Sequence, residues 1–231
     1  MTLNSFIDIS SMAGLVLQGV LAVVLIDGKA WKRYPLFTVY SLFNFVGALT
    51  LYFLRPSGAI FFYGYWIGEA ISIVLGFGVV YEVFRHLFAH HKAVLKHARL
   101  GLRWTFVVFF CVALSVVLVQ APVVSMRSGV LVFEEATRVV ELGLLMFLFA
   151  ASLALGLHWR QADFGIALGL GLFVAVELAV VALRSQIGLR TSLWDLLNVV
   201  RILAIDTSLL VWLGYLFGSE KVGGRARLEM S

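Results

Sequence analysis

Long apolar runs dominate this chain, and short polar segments that hold most of the charges separate them. Seven runs are each about 20 residues long, which is enough for an α-helix to cross roughly 30 Å of hydrocarbon. They cover residues 6–26, 36–54, 63–84, 104–121, 130–157, 164–183 and 194–217. Because an isolated strand in lipid leaves its backbone groups without partners, the runs predict helices throughout. We expect an all-α bundle of seven transmembrane helices over residues 1–217, followed by a flexible basic tail at 218–231.

The composition excludes a soluble protein. Hydrophobic residues make up 61% and charged residues 13% of the 231 positions, whereas soluble domains have about 45–50% and about 25%. So few charges cannot cover a surface in water, and disordered or fibrous classes fail for the same reason. The net charge of +5 therefore does not indicate nucleic acid binding. We expect the basic loops to face an anionic inner leaflet instead.

The basic residues predict an orientation. Most of the 18 Lys and Arg residues lie in alternate connections or in the tail. They are Lys29, Lys32, Arg33, Arg85, Lys92, Lys96, Arg99, Arg103, Arg160, Lys221, Arg225 and Arg227. By the positive-inside rule these segments are cytoplasmic, which places the N-terminus outside and the C-terminus in the cytoplasm. The first run lacks the basic start of a signal peptide, so we expect it to be retained. A bacterial inner membrane is the simplest location for this topology.

Ionisable residues inside the runs are the most informative positions. Each costs at least about 2.5–3.5 kcal/mol in a bilayer unless it is paired, so each is a functional candidate. Counting 1.5 Å per residue from the outer boundary places five of them at a similar depth, roughly 9–16 Å below the outer surface. They are Glu69, Arg138, Glu141, Glu177 and Arg201, with Asn44 slightly deeper and with Glu134, Asn198 and Asp206 as secondary members. We expect the helices to turn these groups inward into one buried layer.

That layer has three interpretations. The carboxylates exceed the guanidinium groups by one, so a site of low dielectric constant should hold a proton or attract a cation. The layer then serves as a pocket for a small ligand or cation, or as part of a proton or ion pathway. Alternatively, the ion pairs only determine which helices face each other. Pro35, Pro56 and Pro122 all lie at the ends of runs, so the broken helices of transporters are not indicated.

A second group of polar residues lies at the cytoplasmic end of the third run. Glu82, His86 and His90 are spaced i, i+4, i+8 on one helical face. Two His and one carboxylate form a conceivable zinc set. However, neighbouring basic residues oppose a cation, and Glu82 can pair more simply with Arg85 or His86. We therefore predict no metal and no other cofactor, and keep these three residues as the secondary metal candidates.

Several activities are disfavoured by what the runs lack. A retinal Schiff base needs a Lys inside the bundle, and every Lys lies in a connection or in the tail. A metal-dependent hydrolase needs His or acidic ligands deep in the runs, and no His lies there. Gly165 and Gly169 form a G-x-x-x-G pattern that allows close helix contact, either within the chain or in a homodimer.

These observations predict a non-enzymatic membrane protein. Its expected role is a sensor or receptor-like module, or a subunit of a larger membrane complex, with a protein partner in the membrane or cytoplasm. A proton- or cation-coupled transporter or channel is the first alternative, and a membrane enzyme or a haem- or metal-binding subunit is the second. A continuous polar path to the cytoplasm would favour transport, whereas a pocket open only outward would favour a receptor.

Overall fold

The computed structural model describes residues 3–54, 58–89, 107, 126–187 and 193–228. Over these residues all regular secondary structure is helical. The helices are α1 (Leu3–Asp27), α2 (Pro35–Leu54), α3 (Gly58–Leu87), α4 (Met126–Ala154), α5 (Gln161–Ile187) and α6 (Leu193–Leu228), with a short 3₁₀ turn at Ala30–Lys32. Within the described part of the chain, six helices are long and apolar enough to cross a membrane. This indicates an integral membrane protein.

Both the interior and the outer surface of the bundle are apolar. Phe37, Val79 and Val174 are completely buried in the core, whereas Val74 and Leu153 are exposed on the outside. A protein in water would cover most of its outer face with polar groups, but lipid accepts apolar side chains. The large exposed aliphatic surface therefore agrees with the helix lengths.

Contacts between helices give their relative directions. Helix α2 runs antiparallel to α3, because Leu36 near its start meets Glu82 and Asn44 near its middle meets Ser72. Helix α5 runs antiparallel to α6, because Ile166 near the start of α5 meets Trp212 in the middle of α6, whereas Glu177 further along α5 meets Arg201 closer to the start of α6.

Helices α3 and α4 run parallel. Glu69 contacts Arg138, and one to two turns further along both helices Gly76 packs against Glu141. The end of α3 and the start of α4 therefore lie at opposite ends of the bundle. We call the end where α3, α4 and α6 begin the N-terminal end.

The helix bounds refine the predicted runs. The predicted fourth helix, 104–121, lies outside the described residues apart from Val107, which is helical. The predicted boundary between residues 217 and 218 falls inside α6, which continues to Leu228; the division into a bundle and a tail stays a prediction. Helix α4 ends at Ala154 rather than at 157, because Gly156 adopts a φ of 60°. The amide of Leu157 then donates to Ser152 O at 2.9 Å, which completes a Schellman cap.

The G-x-x-x-G pattern is used within the chain. A Cβ atom at Gly169 would lie 2.3 Å from Nε1 of Trp212, and one at Gly165 would lie 2.3 Å from Cβ of Tyr215. Both glycines therefore let α6 approach α5 closely. Dimerisation has no support from these two positions, since α6 already covers them.

Paired substitutions test this packing. We expect Gly169→Ala to destabilise the protein by about 1–3 kcal/mol, because its new methyl group overlaps the Trp212 ring. Gly143→Ala is the matched control, since no atom lies within 4 Å of the added Cβ. It should be neutral or stabilising by up to about 1 kcal/mol through helix propensity. Thermal unfolding in detergent measures both, and equal melting temperatures would contradict the close α5–α6 contact.

Candidate functional site

Two buried arginines organise the N-terminal end of the bundle. The Arg138 guanidinium on α4 donates through Nη1 to Glu141 Oε2 at 3.0 Å and through Nη2 to Glu69 Oε1 on α3. Side-chain exposure is 3% for Arg138 and 14% for Glu69. Arg138 thus joins two helices while sharing its charge between two carboxylates.

The second arginine joins α6 to α5 and α3. Arg201 Nε donates to Glu177 Oε2 at 2.9 Å, and its Nη2 lies 2.7 Å from Oε1 of the same carboxylate. Arg201 therefore makes one hydrogen bond to Glu177 through Oε2 and a close ionic contact with Oε1 of the same carboxylate. Nη1 of Arg201 also donates to the Tyr65 hydroxyl at 2.9 Å.

The two arginine groups act as one unit, which we call the charge cluster: Glu69, Arg138, Glu141, Glu177 and Arg201. Glu177 acts electrostatically on Arg138, and Glu69 acts on Arg201. The cluster therefore draws on α3, α4, α5 and α6; the common depth of its members in the membrane stays a prediction from the sequence. It carries one carboxylate more than it has guanidinium groups.

The packing around the cluster fixes its geometry. A Cβ atom at Gly76 would lie 2.4 Å from Glu141 Oε1, so any larger residue here would force this carboxylate to move. The Arg138 guanidinium lies over the Phe173 ring, 5.2 Å from its centroid, in a cation–π contact. These neighbours hold the charged groups in a largely dehydrated space.

Three polar atoms of the cluster form no hydrogen bond among the described residues; one of them, Glu177 Oε1, lies 2.7 Å from Arg201 Nη2 in an ion pair. Arg138 Nε, a donor, and Glu141 Oε1, an acceptor, are buried and have no hydrogen-bond partner among the described residues. Buried polar groups are almost always hydrogen-bonded, so such atoms call for a partner. A water molecule or a polar atom of a small ligand would provide one.

Three of the remaining predicted members have described side chains, and these lie outside the cluster. Asn44 bridges α2 and α3, donating to Tyr40 O at 2.8 Å and accepting from Ser72 Oγ at 2.9 Å. Asn198 accepts from Arg184 Nη2 at 2.5 Å. Asp206 faces α1, where a Cβ atom at Gly14 would lie 2.7 Å from its Oδ1. The side chain of Glu134 lies outside the described residues.

The predicted metal candidates take separate partners. Glu82 accepts hydrogen bonds from the backbone amides of Leu36 at 3.0 Å and Phe37 at 2.9 Å, so it caps the start of α2 instead of pairing with Arg85 or His86. A carboxylate is favourable there because those amides have no partner within their own helix. Within the described residues, no group of three His, Cys, Asp or Glu is arranged to hold a metal ion. His90 lies outside them.

His86 instead belongs to a contact between α3 and α5. Its Nδ1 lies 3.2 Å from Asp163 Oδ1, and its ring meets the edge of Tyr34 at 5.1 Å. Burial raises the pKa of the Tyr34 hydroxyl above its usual range, and the negative charge of Asp163 adds to this effect. These residues close the end of the bundle opposite the charge cluster.

Three contributors to the cluster are absent from the sequence prediction: Tyr65, Gly76 and Phe173. A helical-wheel comparison could have found two of them, because Tyr65, Glu69 and Gly76 repeat at i, i+4, i+11 on one face of α3. Phe173 carries no such signal, since it is one of many aromatic residues in apolar runs. Its role depends on how α4 and α5 pack.

Comparison with known protein families, with curated protein sequences and with solved structures gave no match to this chain. The function therefore has to be inferred from the charges and contacts of the chain itself.

Removing one arginine tests whether the cluster holds the helices together. We expect Arg201→Leu to destabilise the protein by about 3 kcal/mol, because Glu177 becomes a buried and unpaired charge. The double variant Arg201→Leu with Glu177→Leu should recover much of this loss, since no lone charge remains. Thermal unfolding in detergent measures the stability of both variants. Asp195→Asn, which changes an exposed carboxylate, is the control. If Arg201→Leu melts like the wild type, the pairing does not contribute to stability.

Proposed function

We propose that this chain is a non-enzymatic, seven-span membrane protein that serves as a sensor or receptor-like module, or as a subunit of a larger membrane complex. We further propose that a small ligand or cation binds at the charge cluster. The observation that carries the proposal is the pair of orphaned atoms, Arg138 Nε and Glu141 Oε1, inside a cluster whose carboxylates and guanidinium groups are ion-paired. The excess carboxylate supports a ligand with positive charge.

The parallel arrangement of α3 and α4 supports a seventh crossing. A chain that leaves α3 at one end of the bundle has to return to the other end before α4 begins. Residues 88–125 contain the apolar run 104–121, which is long enough for one helix of about 20 residues. The excess of Lys and Arg on alternate connections supports a cytoplasmic C-terminus. A bacterial cytoplasmic membrane with an anionic inner leaflet fits this charge distribution.

Access to the cluster fits entry from the N-terminal end, which this orientation places outside. The side chains of Glu69 and Arg201 keep 14% and 19% exposure, whereas Glu141 and Glu177 are almost completely buried. A ligand could therefore meet Glu69 and Arg201 first and then compete for the buried partners. Because each arginine joins two or more helices, such competition would alter how those helices pack. A protein partner in the membrane or cytoplasm could bind differently to the altered helix arrangement.

Cysteine labelling tests the topology. In a Cys111→Ser background, Leu193→Cys and Arg127→Cys on intact cells should react with a membrane-impermeant maleimide. Gly28→Cys, Ala89→Cys and His158→Cys should react only after permeabilisation, because they belong to the basic side. Reaction of Ala89→Cys and Arg127→Cys from the same side would contradict the crossing between them.

A stability screen tests ligand binding. Purified protein would be heated with a panel of small cations, zwitterions and anions. A binder present at 100 times its Kd stabilises by about 2.7 kcal/mol. We expect a compound that stabilises the wild type to leave the melting temperature of Glu69→Gln unchanged. In Glu177→Gln the pH dependence of the stabilisation should change. Asp195→Asn, which alters an exposed carboxylate, is the control and should be stabilised like the wild type.

Two results would contradict the proposal. If no member of the panel raises the melting temperature, the cluster has a structural role only. If the hit crosses the membrane of proteoliposomes that contain the protein, the chain is a transporter rather than a receptor-like module.

A further inference from the structure

A second polar space lies at the middle of the membrane-spanning helices. A partly open cavity of about 80 Å³ is lined by residues of α1, α2, α5 and α6. Gln18 and Asn44, which line it, are at the centres of the candidate spans Ile9–Asp27 and Pro35–Phe53. The cavity is therefore near the mid-depth of the bilayer, where water cannot replace missing polar contacts.

Polar oxygens face this cavity although most of its wall is apolar. Gln18, Tyr40, Ser41, Asn44 and Ser208 line it. Oε1 of Gln18 and Oγ of Ser41 are buried and have no hydrogen-bond partner within the described part of the chain. Ser41 is only 6% exposed, so its hydroxyl has no route to solvent other than the cavity itself. Two unpaired oxygens on two helices therefore indicate that the cavity holds an occupant that can bind both of them.

Asp206 adds a negative charge beside the cavity. It is not one of the residues that line the cavity, but it lies on α6 between Ile205 and Ser208, which do. Its Oδ1 packs against Gly14 on α1, one helical turn, or about 6 Å, before Gln18. This oxygen is also buried without a hydrogen-bond partner among the described residues.

No described basic residue forms an ion pair with Asp206. Arg201, the nearest on its own helix, is engaged by Glu177 and Tyr65. Arg138 lies close to Phe173 and Tyr40, which line the cavity, but it is already shared by two carboxylates. A lone carboxylate at mid-depth costs several kcal/mol and calls for a positive partner.

We infer that Gln18, Ser41 and Asp206 form a binding site for one monovalent alkali cation, with Na⁺ as the test ion. Hard cations bind carboxylate, carbonyl and hydroxyl oxygens, and these three residues supply one of each. A single positive charge balances Asp206, whereas a divalent ion would leave one uncompensated charge in a medium of low dielectric constant. A water needs roughly 10–15 Å³ of such space, so the cavity has room for an ion together with several waters.

A bound proton is the competing explanation. Protonation would neutralise Asp206, but it would leave Gln18 Oε1 and Ser41 Oγ with water alone as a partner, whereas a cation can bind all three oxygens. This site is deeper than the charge cluster and shares none of its ionised residues. It therefore does not rest on the proposed function.

Thermal unfolding at constant ionic strength tests the inference. The purified full chain in detergent would be heated in mixtures of NaCl and choline chloride, and then in KCl and LiCl. The melting temperature of the wild type should rise with Na⁺ concentration and saturate. Asp206→Asn should abolish this dependence. Ser41→Ala should fold and should weaken the apparent Na⁺ affinity about tenfold or more, because it removes one oxygen ligand from a charged guest.

Two controls separate this site from other sources of a salt effect. Asp195→Asn, an exposed carboxylate on the same helix, should keep the full Na⁺ dependence. Glu69→Gln in the charge cluster should also keep it. If Asp206→Asn does not fold, Ser41→Ala and Gln18→Leu provide the same test.

Three results would overturn the inference. Equal melting temperatures in Na⁺ and choline would exclude a cation site. A Na⁺ dependence that survives in Asp206→Asn and Ser41→Ala would place the ion elsewhere. A dependence lost in Glu69→Gln but kept in Asp206→Asn would place the ion in the charge cluster, which would support the proposed function and contradict the mid-depth site.

Discussion

Burial of two guanidinium groups between carboxylates on neighbouring helices is the interaction on which this bundle depends. In lipid, apolar contact alone does not determine which helix faces which, because lipid tails are as apolar as the side chains. Arg138 and Arg201 remove that ambiguity for α3, α4, α5 and α6, since each charge has its partners on particular helices. Such pairs add little net stability compared with apolar packing. Their contribution is to make alternative helix arrangements costly.

Close packing makes these contacts reachable. Gly76 gives the Glu141 carboxylate a place on α3, and Gly165 and Gly169 bring α6 close enough to α5 for Arg201 to meet Glu177. At the opposite end, Glu82 on α3 fixes the start of α2 through two backbone amides. Glycines and charged groups therefore act together. The glycines let the helices approach each other closely, and the ion pairs determine which helices meet and at what height.

The polar groups form two levels with different chemistry. The charge cluster contains both signs, is mostly satisfied and keeps partial access from the N-terminal end. The deeper level around the cavity contains neutral oxygens and one carboxylate, and three of its oxygens lack partners within the described residues. Tyr40 and Phe173 connect the levels, because both line the cavity and both lie close to Arg138. An occupant at one level could thus affect the other through these two rings.

The sequence alone determined the membrane class, because a chain with 13% charged residues cannot cover a surface in water. It also predicted that Glu69, Arg138, Glu141, Glu177 and Arg201 lie at one depth, since helical rise converts residue number into height. Tertiary structure decided the pairings. Height does not specify rotation about the helix axis, so Asp206 faces α1 instead of the cluster, and Glu82 caps α2 instead of joining His86. Only packing in three dimensions decides which face meets which neighbour.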